Sequence, residues 1–341
     1  MIHTEIETEN SISVAKEVST STLSTCEDRI RRQIKTGSMD ASDAIEAFAS
    51  CTHPLLSKEI EIKNKEIHDQ EEFRLKLGHQ WEEYTCSDFI MPTTAPKSIR
   101  SWNYRGNEHE VGVLLDRDEA KIHHVENFIT QEECAAIEDE AARTLHRATV
   151  ADGSGGSHFQ KSRKAMQAGV RVPWEREANG DLIASISRKL YTYINDATGY
   201  NIQTEGQEDL MSIQYFGRGL HDPEPDRYMP HCDGQCDGLK FKNAGRVATM
   251  VMYCTAPETG GATNFRNVGV HVVPKEGAAV FFSYLGPDGK TDNRLTEHSC
   301  CPVMEGEKKI AVQWLRLGVD NDNPWDSFNT LNIKIDSTET M

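Results

Sequence analysis

The chain has 341 residues, 37% hydrophobic and 27% charged, which allows one large domain or two ordinary ones with a real core. Its 37 basic and 54 acidic residues leave a formal net charge of −17, a balance that repels phosphate backbones and argues against a nucleic-acid binder. No apolar run approaches the roughly 20 residues of a membrane span, and the opening MIHTEIETENSISVAKEVSTSTLST has no apolar stretch, so no signal peptide is visible.

Residues 1–35, rich in Ser, Thr and Glu, read as a disordered tail. Residues 36–90 read as a helical appendage, with a short helix over 36–52 and a solvated amphipathic helix carrying Phe73, Leu77, Trp81 and Tyr84. Pro92, Pro96 and Gly106 interrupt 91–119, which reads as a linker or extended arm. A compact domain is expected over 120–318, followed by a C-terminal tail over 319–341. Thr130 with Glu133 fits a capping box, ahead of Cys134, Ile137, Ala141 and Leu145 at helical spacing. A second helix over 181–197 puts Leu182, Ile186, Leu190 and Ile194 on one face and stops at Gly199.

The period then changes to two. LMSIQYF (210–216), RVATMVMYC (246–254), GVHVVP (269–274), AAVFFSY (278–284) and IAVQWLRL (310–317) read as strands. Helices followed by a run of strands give an α+β protein whose body is an antiparallel sandwich or barrel.

The chemistry gathers at Tyr228-Met-Pro-His-Cys-Asp233. On a strand, positions i and i+2 point to one side, so His231 and Asp233 converge. With His298, just before the last core strand, they match the two-histidine, one-carboxylate facial triad of non-haem iron sites. Lys308, in GEKKIAVQW, can bring an ammonium into the barrel mouth, where a buried cation needs an anion. Nine cysteines, an odd number, occur without Cys-x-x-Cys spacing, so no structural zinc module is indicated; Cys232 and Cys236 lack a second pair for a zinc site.

From about 120 to 317 the chain resembles the prolyl 4-hydroxylase family, most closely the catalytic domain of the collagen prolyl 4-hydroxylase α subunit. The matching stretches are ATV (148–150), EDLMSIQY (208–215), PHCD (230–233), GRVATMVMY (245–253), GGATNF (260–265), VVPKEGAAVFF (272–282), HSCCPVMEGEKK (298–309) and QWL (313–315). The resemblance implies a double-stranded β-helix, or jelly-roll, that binds Fe(II) and 2-oxoglutarate and consumes O2, with ascorbate as reductant of stray oxidised iron. It implies iron ligation by His231, Asp233 and His298, and a 2-oxoglutarate pocket with Lys308 on the far carboxylate and Tyr215, Thr263 and Trp314 as lining. Arg246 falls where the family places an arginine towards the peptide, so it is expected at the open rim beside the iron.

The implied reaction is hydroxylation of peptidyl proline at C4, coupled to decarboxylation of 2-oxoglutarate to succinate. The implied partners are a proline-containing, collagen-like peptide and a protein disulfide isomerase subunit, in the endoplasmic reticulum lumen. A 2-oxoglutarate oxygenase with a different protein or amino-acid substrate is the alternative, as is an inactive binding module on the same fold. The chain departs from the family in a long acidic loop over 217–227, in Arg316 where a histidine is expected, in lacking a late cysteine to pair with Cys301, and in lacking a clear helical peptide-binding domain upstream.

Overall fold

The computed structural model describes residues 25–40, 42–52, 57, 61, 86, 91–151, 157–159, 162–328 and 334. The chain divides into two compact units, Met1–Phe73 and Arg74–Met341. In the first, helices α1 (25–35) and α2 (42–52) bury Cys26, Ile30 and Ala44 together, and a Cys26–Cys51 disulfide joins them. Residues 25–35 are therefore not tail. Their polar composition hides a helix that buries Cys26 and Ile30 against its partner. The rest of that expected tail and the amphipathic helix around Phe73 and Trp81 lie outside the described residues.

The second unit begins with β1 (Ser98–Tyr104), β2 (Asn107–Asp116) and β3 (Lys121–Val125), followed by α3 (Gln131–Ala141). Short pieces follow: β4 (His146–Arg147), β5 (Val150–Ala151), β6 (Ser157–His158) and β7 (Arg163–Lys164), then β8 (Met166–Val170). After α4 (Leu182–Thr198) come β9 (Leu210–Phe216), β10 (Asp226–His231), β11 (Arg246–Thr255), β12 (Thr259–Gly260) and β13 (Thr263–Phe265). The chain ends its sheets with β14 (Val270–Val272), β15 (Ala279–Ser283), β16 (His298–Glu305) and β17 (Glu307–Arg316).

A nine-stranded sheet runs β1-β2-β3-β15-β11-β17-β9-β8-β4, and a six-stranded sheet runs β14-β13-β16-β10-β7 with β12 added against β16. Side chains alternate along the central strands. Met250, Met252, Phe281 and Ala311 pack with Ile137, Ile186, Leu190 and Ile194 of the two helices. Their neighbours Val251, Tyr253, Phe282 and Val312 pack towards Phe265, Val272 and Val303 of the smaller sheet. The period-two pattern is apolar on both faces because the large sheet is covered twice, by helices outside and by the second sheet inside. The two facing sheets make a double-stranded β-helix within an α+β chain.

The 91–119 span is not a linker. β1 and β2 pair from Ser98↔Val113 to Tyr104↔Asn107 and add to the large sheet through β3. Their two-residue turn has positive φ at both Arg105 (51°) and Gly106 (87°), the mirror-image geometry that suits hairpin twist. Arg-Gly is a weak version of that signal, and β1 is mostly exposed, so no alternation marks it. The C-terminal span, where described, holds a single helical turn at Trp325–Ser327 and an isolated bridge between Phe328 and Lys334.

α3 starts with the expected capping box, Thr130 accepting from the Glu133 N–H and Glu133 accepting from the Thr130 N–H, but it ends at Ala141, short of Leu145. Asp181 caps α4 by accepting from the Ile183 and Ala184 N–H groups, and Gly199 closes it with φ 76°. Asp181→Ala should cost about 0.5–2 kcal/mol of stability in a urea melt. Metal affinity should not change, because α4 lies on the far side of the large sheet from the site.

Candidate metal centre

β10 and β16 are antiparallel neighbours in the smaller sheet, and their register sets His231 directly opposite His298. Asp233 follows two residues beyond the end of β10. One ligand atom from each of the three lies within 4.8 Å of the others. His231 Nε2 is 3.3 Å from Asp233 Oδ1, and His298 Nε2 is 3.8 Å from Asp233 Oδ2. Each imidazole points its Nδ1 at the carbonyl two residues before it, Met229 O at 2.8 Å and Thr296 O at 3.0 Å. Those carbonyls accept Nδ1–H and leave Nε2 as the free lone pair facing the centre, the orientation a metal-binding histidine needs.

The carboxylate is held from several sides. Its Oδ2 accepts from the Thr249 hydroxyl at 2.9 Å, and its backbone oxygen accepts from Arg246 Nη1 at 3.1 Å. Gly234 follows because nothing larger fits: a Cβ there would lie 2.5 Å from Tyr284 Cε2 and 2.8 Å from Arg246 O. Burial alone would push the Asp233 carboxyl up. His298, the His231 hydrogen bond and Arg246 outweigh it and hold it well below the usual carboxylate range. Burial pushes His298 down to about 4, so at neutral pH it offers a neutral nitrogen. One carboxylate oxygen and two imidazole nitrogens suit a divalent transition metal with open positions.

Beside the triad lies a cavity lined on one wall by alternate residues of β17, namely Lys308, Ile310, Val312 and Trp314. Tyr215 and Thr263 complete it, so all four expected pocket residues line one space with the three expected ligands. Lys308 is 1% exposed; its Nζ donates to Gly261 O at 2.7 Å and to Cys300 Sγ at 3.2 Å. No carboxylate pairs with it among the described residues. A desolvated ammonium without a counter-ion calls for an anionic ligand. Lys309 faces the other way, to Glu138 of α3 at 3.2 Å, as strand alternation requires. Burial raises the Tyr215 hydroxyl well above its usual range, so it remains a proton donor. The Thr263 hydroxyl is 2.8 Å from that of Tyr253, and Trp314 Nε1 is buried without a partner.

Arg246 is not at an open rim. It is 9% exposed and does not line the cavity. Its Nε and Nη2 both donate to Glu208 at 2.7 Å, and its guanidinium stacks 4.0 Å from the centre of the Trp314 ring. Arg316 donates to the same Glu208 at 2.7 Å. Burial would push the Glu208 carboxyl up, but Arg246 and then Arg316 hold it down. Two buried cations share one carboxylate, and the donors expected to meet a peptide are spent on holding the Asp233 segment.

Several partners carried no sequence signal of their own. Tyr228 stacks on the His231 ring at 3.6 Å, and Arg163 lies over Tyr228 at 4.8 Å. Thr249 lies on a strand recognised for its apolar pattern and Glu208 two residues before one, and that pattern says nothing of their polar roles. Cys301 does have a partner, Cys86, upstream of the large sheet. Cys134 pairs with Cys254 and Cys232 with Cys236, so those last two make a disulfide, not a zinc site, and Cys300 is the free thiol.

Two outcomes follow from these contacts. Arg246→Ala should cost about 3–5 kcal/mol of stability, since it strips one partner from a buried carboxylate. It should also weaken metal binding, measured by calorimetry. Unchanged stability with a raised peptide KM would instead put the guanidinium on substrate. Asp292, buried ahead of β16, accepts from the N–H and hydroxyl of Thr296 at 2.6 and 2.9 Å, while its Oδ1 has no partner. Burial pushes its carboxyl from 3.8 up to about 6. The native state therefore keeps this proton longer than the unfolded chain, and the stability it lends is lost as pH rises through that window. Asp292→Asn should flatten this part of the pH profile of urea midpoints.

Residues 219–316 match the model of the 2OG-Fe(II) oxygenase superfamily. Over 207 residues the chain is 32% identical to prolyl 4-hydroxylase subunit alpha-1 of Gallus gallus, covering 58% of this chain and 36% of the relative. Prolyl 4-hydroxylase subunit alpha-2 of Caenorhabditis elegans is 31% identical over 199 residues, 55% of this chain and 33% of its own. The chain thus spans about a third of the length of these curated relatives. Among solved structures, the 2OG complex of the viral collagen prolyl hydroxylase of Paramecium Bursaria Chlorella virus-1 is 24% identical, covers 57% of this chain and 95% of its own, and has a TM-score of 0.44. A prolyl hydroxylase of Trichoplax adhaerens, in complex with a hypoxia inducible factor peptide fragment, is 17% identical over 58% of this chain and 84% of its own, at a TM-score of 0.40. The segment that matches the 2OG-Fe(II) oxygenase model contains all three residues of the triad together with Lys308.

Proposed function

We propose that the chain hydroxylates peptidyl proline at C4, using Fe(II), O2 and 2-oxoglutarate and releasing succinate and CO2. The observation that carries this reading is the placing of two complementary features in one cavity: a three-residue set fit for a metal and a buried lysine with no counter-ion. His231, Asp233 and His298 would hold the iron. Lys308 would bind the far carboxylate of 2-oxoglutarate, with Tyr215, Thr263 and Trp314 shaping the walls. The iron supplies the oxidising power. The chain's own residues orient and shield: Thr249 fixes the Asp233 carboxylate, Arg246 fixes its backbone, and Ile310 and Val312 keep the cavity wall dry.

Similarity to the prolyl 4-hydroxylase α subunits supports proline as the target and a proline-containing, collagen-like peptide as the substrate. A protein disulfide isomerase subunit as partner rests on the same resemblance. Four disulfides support an oxidising compartment such as the endoplasmic reticulum lumen.

The test is mass spectrometry of a Pro-Pro-Gly repeat peptide after incubation with the protein, Fe(II), 2-oxoglutarate and ascorbate. A gain of one oxygen per modified proline is expected. Turnover of 2-oxoglutarate without peptide oxidation would point to another substrate, and no turnover at all to a binding module. Lys308→Ala should raise the 2-oxoglutarate requirement by roughly 2–5 kcal/mol, the cost of removing one partner from a desolvated charge pair, with iron affinity little changed. Lys308→Arg should not fully restore it, because the planar fork differs in bulk and direction from an ammonium.

A further inference from the structure

We propose that the Cys232–Cys236 disulfide is a positioning clamp for the metal centre, and that the affinity for metal follows its oxidation state. This rests on the metal-binding reading above. Cys232 stands between two of the three ligands, His231 and Asp233, one residue past the end of β10. Its disulfide to Cys236 closes a ring that contains Asp233 itself. Such a clamp has a task here, because β10 ends at His231 and Asp233 lies beyond it.

The other end of the clamp reaches the third ligand. The Cys236 carbonyl accepts from the Arg294 N–H at 3.0 Å, and the Gly238 N–H donates to Asp292 O at 3.0 Å. The Asp237 carboxylate accepts from the Thr291 hydroxyl at 3.2 Å. Residues 291–296 in turn lead into His298, whose Nδ1 is set by Thr296 O. The disulfide therefore ties the His231–Asp233 end of the site to the turn that places His298.

Its contribution is local. Disulfides stabilise a fold chiefly by closing long loops, and this one spans 4 residues, against 120 for Cys134–Cys254 and 215 for Cys86–Cys301. It is also the more accessible of these three. Cys232 and Cys236 are half-buried, whereas Cys86, Cys301, Cys134 and Cys254 are each at most 3% exposed. A dithiol can reduce it: the S–S bond takes up two electrons and two protons and becomes two thiols, while the dithiol closes to its own disulfide.

The test compares oxidised wild type, wild type reduced with dithiothreitol and freed of it by gel filtration, and the Cys232→Ser/Cys236→Ser variant. Alkylation and mass spectrometry establish which thiols are free. Co(II) is the probe, read by calorimetric Kd and visible absorption, beside the melting temperature of the metal-free protein. Reduction and the double substitution should each weaken Co(II) binding about 10–100-fold, as lost support behind metal ligands does. Both should change the Co(II) spectrum with little change in melting temperature, and the variant should no longer respond to dithiothreitol. A Cys26→Ser/Cys51→Ser control should keep the wild-type Kd and the wild-type response. An unchanged Kd in the reduced protein or the variant overturns the clamp. So does a fall in melting temperature that parallels the loss of affinity, which would assign the disulfide to the fold. No Co(II) binding by oxidised wild type would overturn the metal reading itself.

Discussion

A buried carboxylate sets the terms for the rest of this structure. The Asp233 side chain is 7% exposed, and a desolvated negative charge must be met by donors or cations. Thr249 supplies a hydroxyl, and two histidines supply nitrogens whose outer edges are tied to backbone carbonyls. None of these neutralises the charge outright. The site is thus electrostatically incomplete in a way that a divalent cation completes, and its rigidity comes from the sheet. The cross-strand register of β10 and β16, not side-chain flexibility, brings His231 and His298 together.

The same alternation divides labour along β17. Even-numbered residues from Lys308 to Trp314 face the cavity, and Lys309 turns out to pair with α3. A slip of one residue would exchange the two lysines and put the ion pair with Glu138 where the free ammonium is needed. Register is protected because β17 is hydrogen-bonded on both sides, to β11 and β9, in the middle of the large sheet. Function and core packing use the same constraint: β17 cannot slip by one residue without turning Lys308 and Trp314 out of the cavity and against the helices.

How much of this was legible in the sequence depends on the kind of interaction. β9, β11, β15 and β17 announce themselves by β-branched and aromatic runs, and α4 by its spacing, Asp181 and Gly199. His231, Asp233, His298 and Lys308 are readable because metal and anion chemistry demands particular residue types at particular strand offsets. β1 and β2 were not readable, since an edge hairpin with an exposed outer strand carries no apolar period. Arg246 was misplaced for a more general reason. A sequence shows that an arginine begins a strand, but not that Glu208, on β9's approach, lies close enough to take both edges of its guanidinium. Disulfide pairing escaped for the same cause, because proximity of Cys86 to Cys301 is a tertiary fact across 215 residues.

The buried charges also explain why Arg316 can stand where a neutral imidazole was expected. Glu208 accepts from Arg246 and Arg316, and Arg246 reaches on to the Asp233 backbone. Two guanidiniums are thus set against Glu208, and the Asp233 carboxylate, which Arg246 supports only through the backbone, keeps its charge for a metal. With both arginines occupied by Glu208, the charges left for a ligand would be the metal's own and that of Lys308, at two places in one cavity. A small dianion with a carboxylate at each end meets both, whereas a monocarboxylate leaves one of them unpaired in a desolvated wall. On the function proposed above, selectivity for a dicarboxylic co-substrate would therefore be set not only by the residues that touch it, but also by a neighbouring cluster that keeps its arginines occupied.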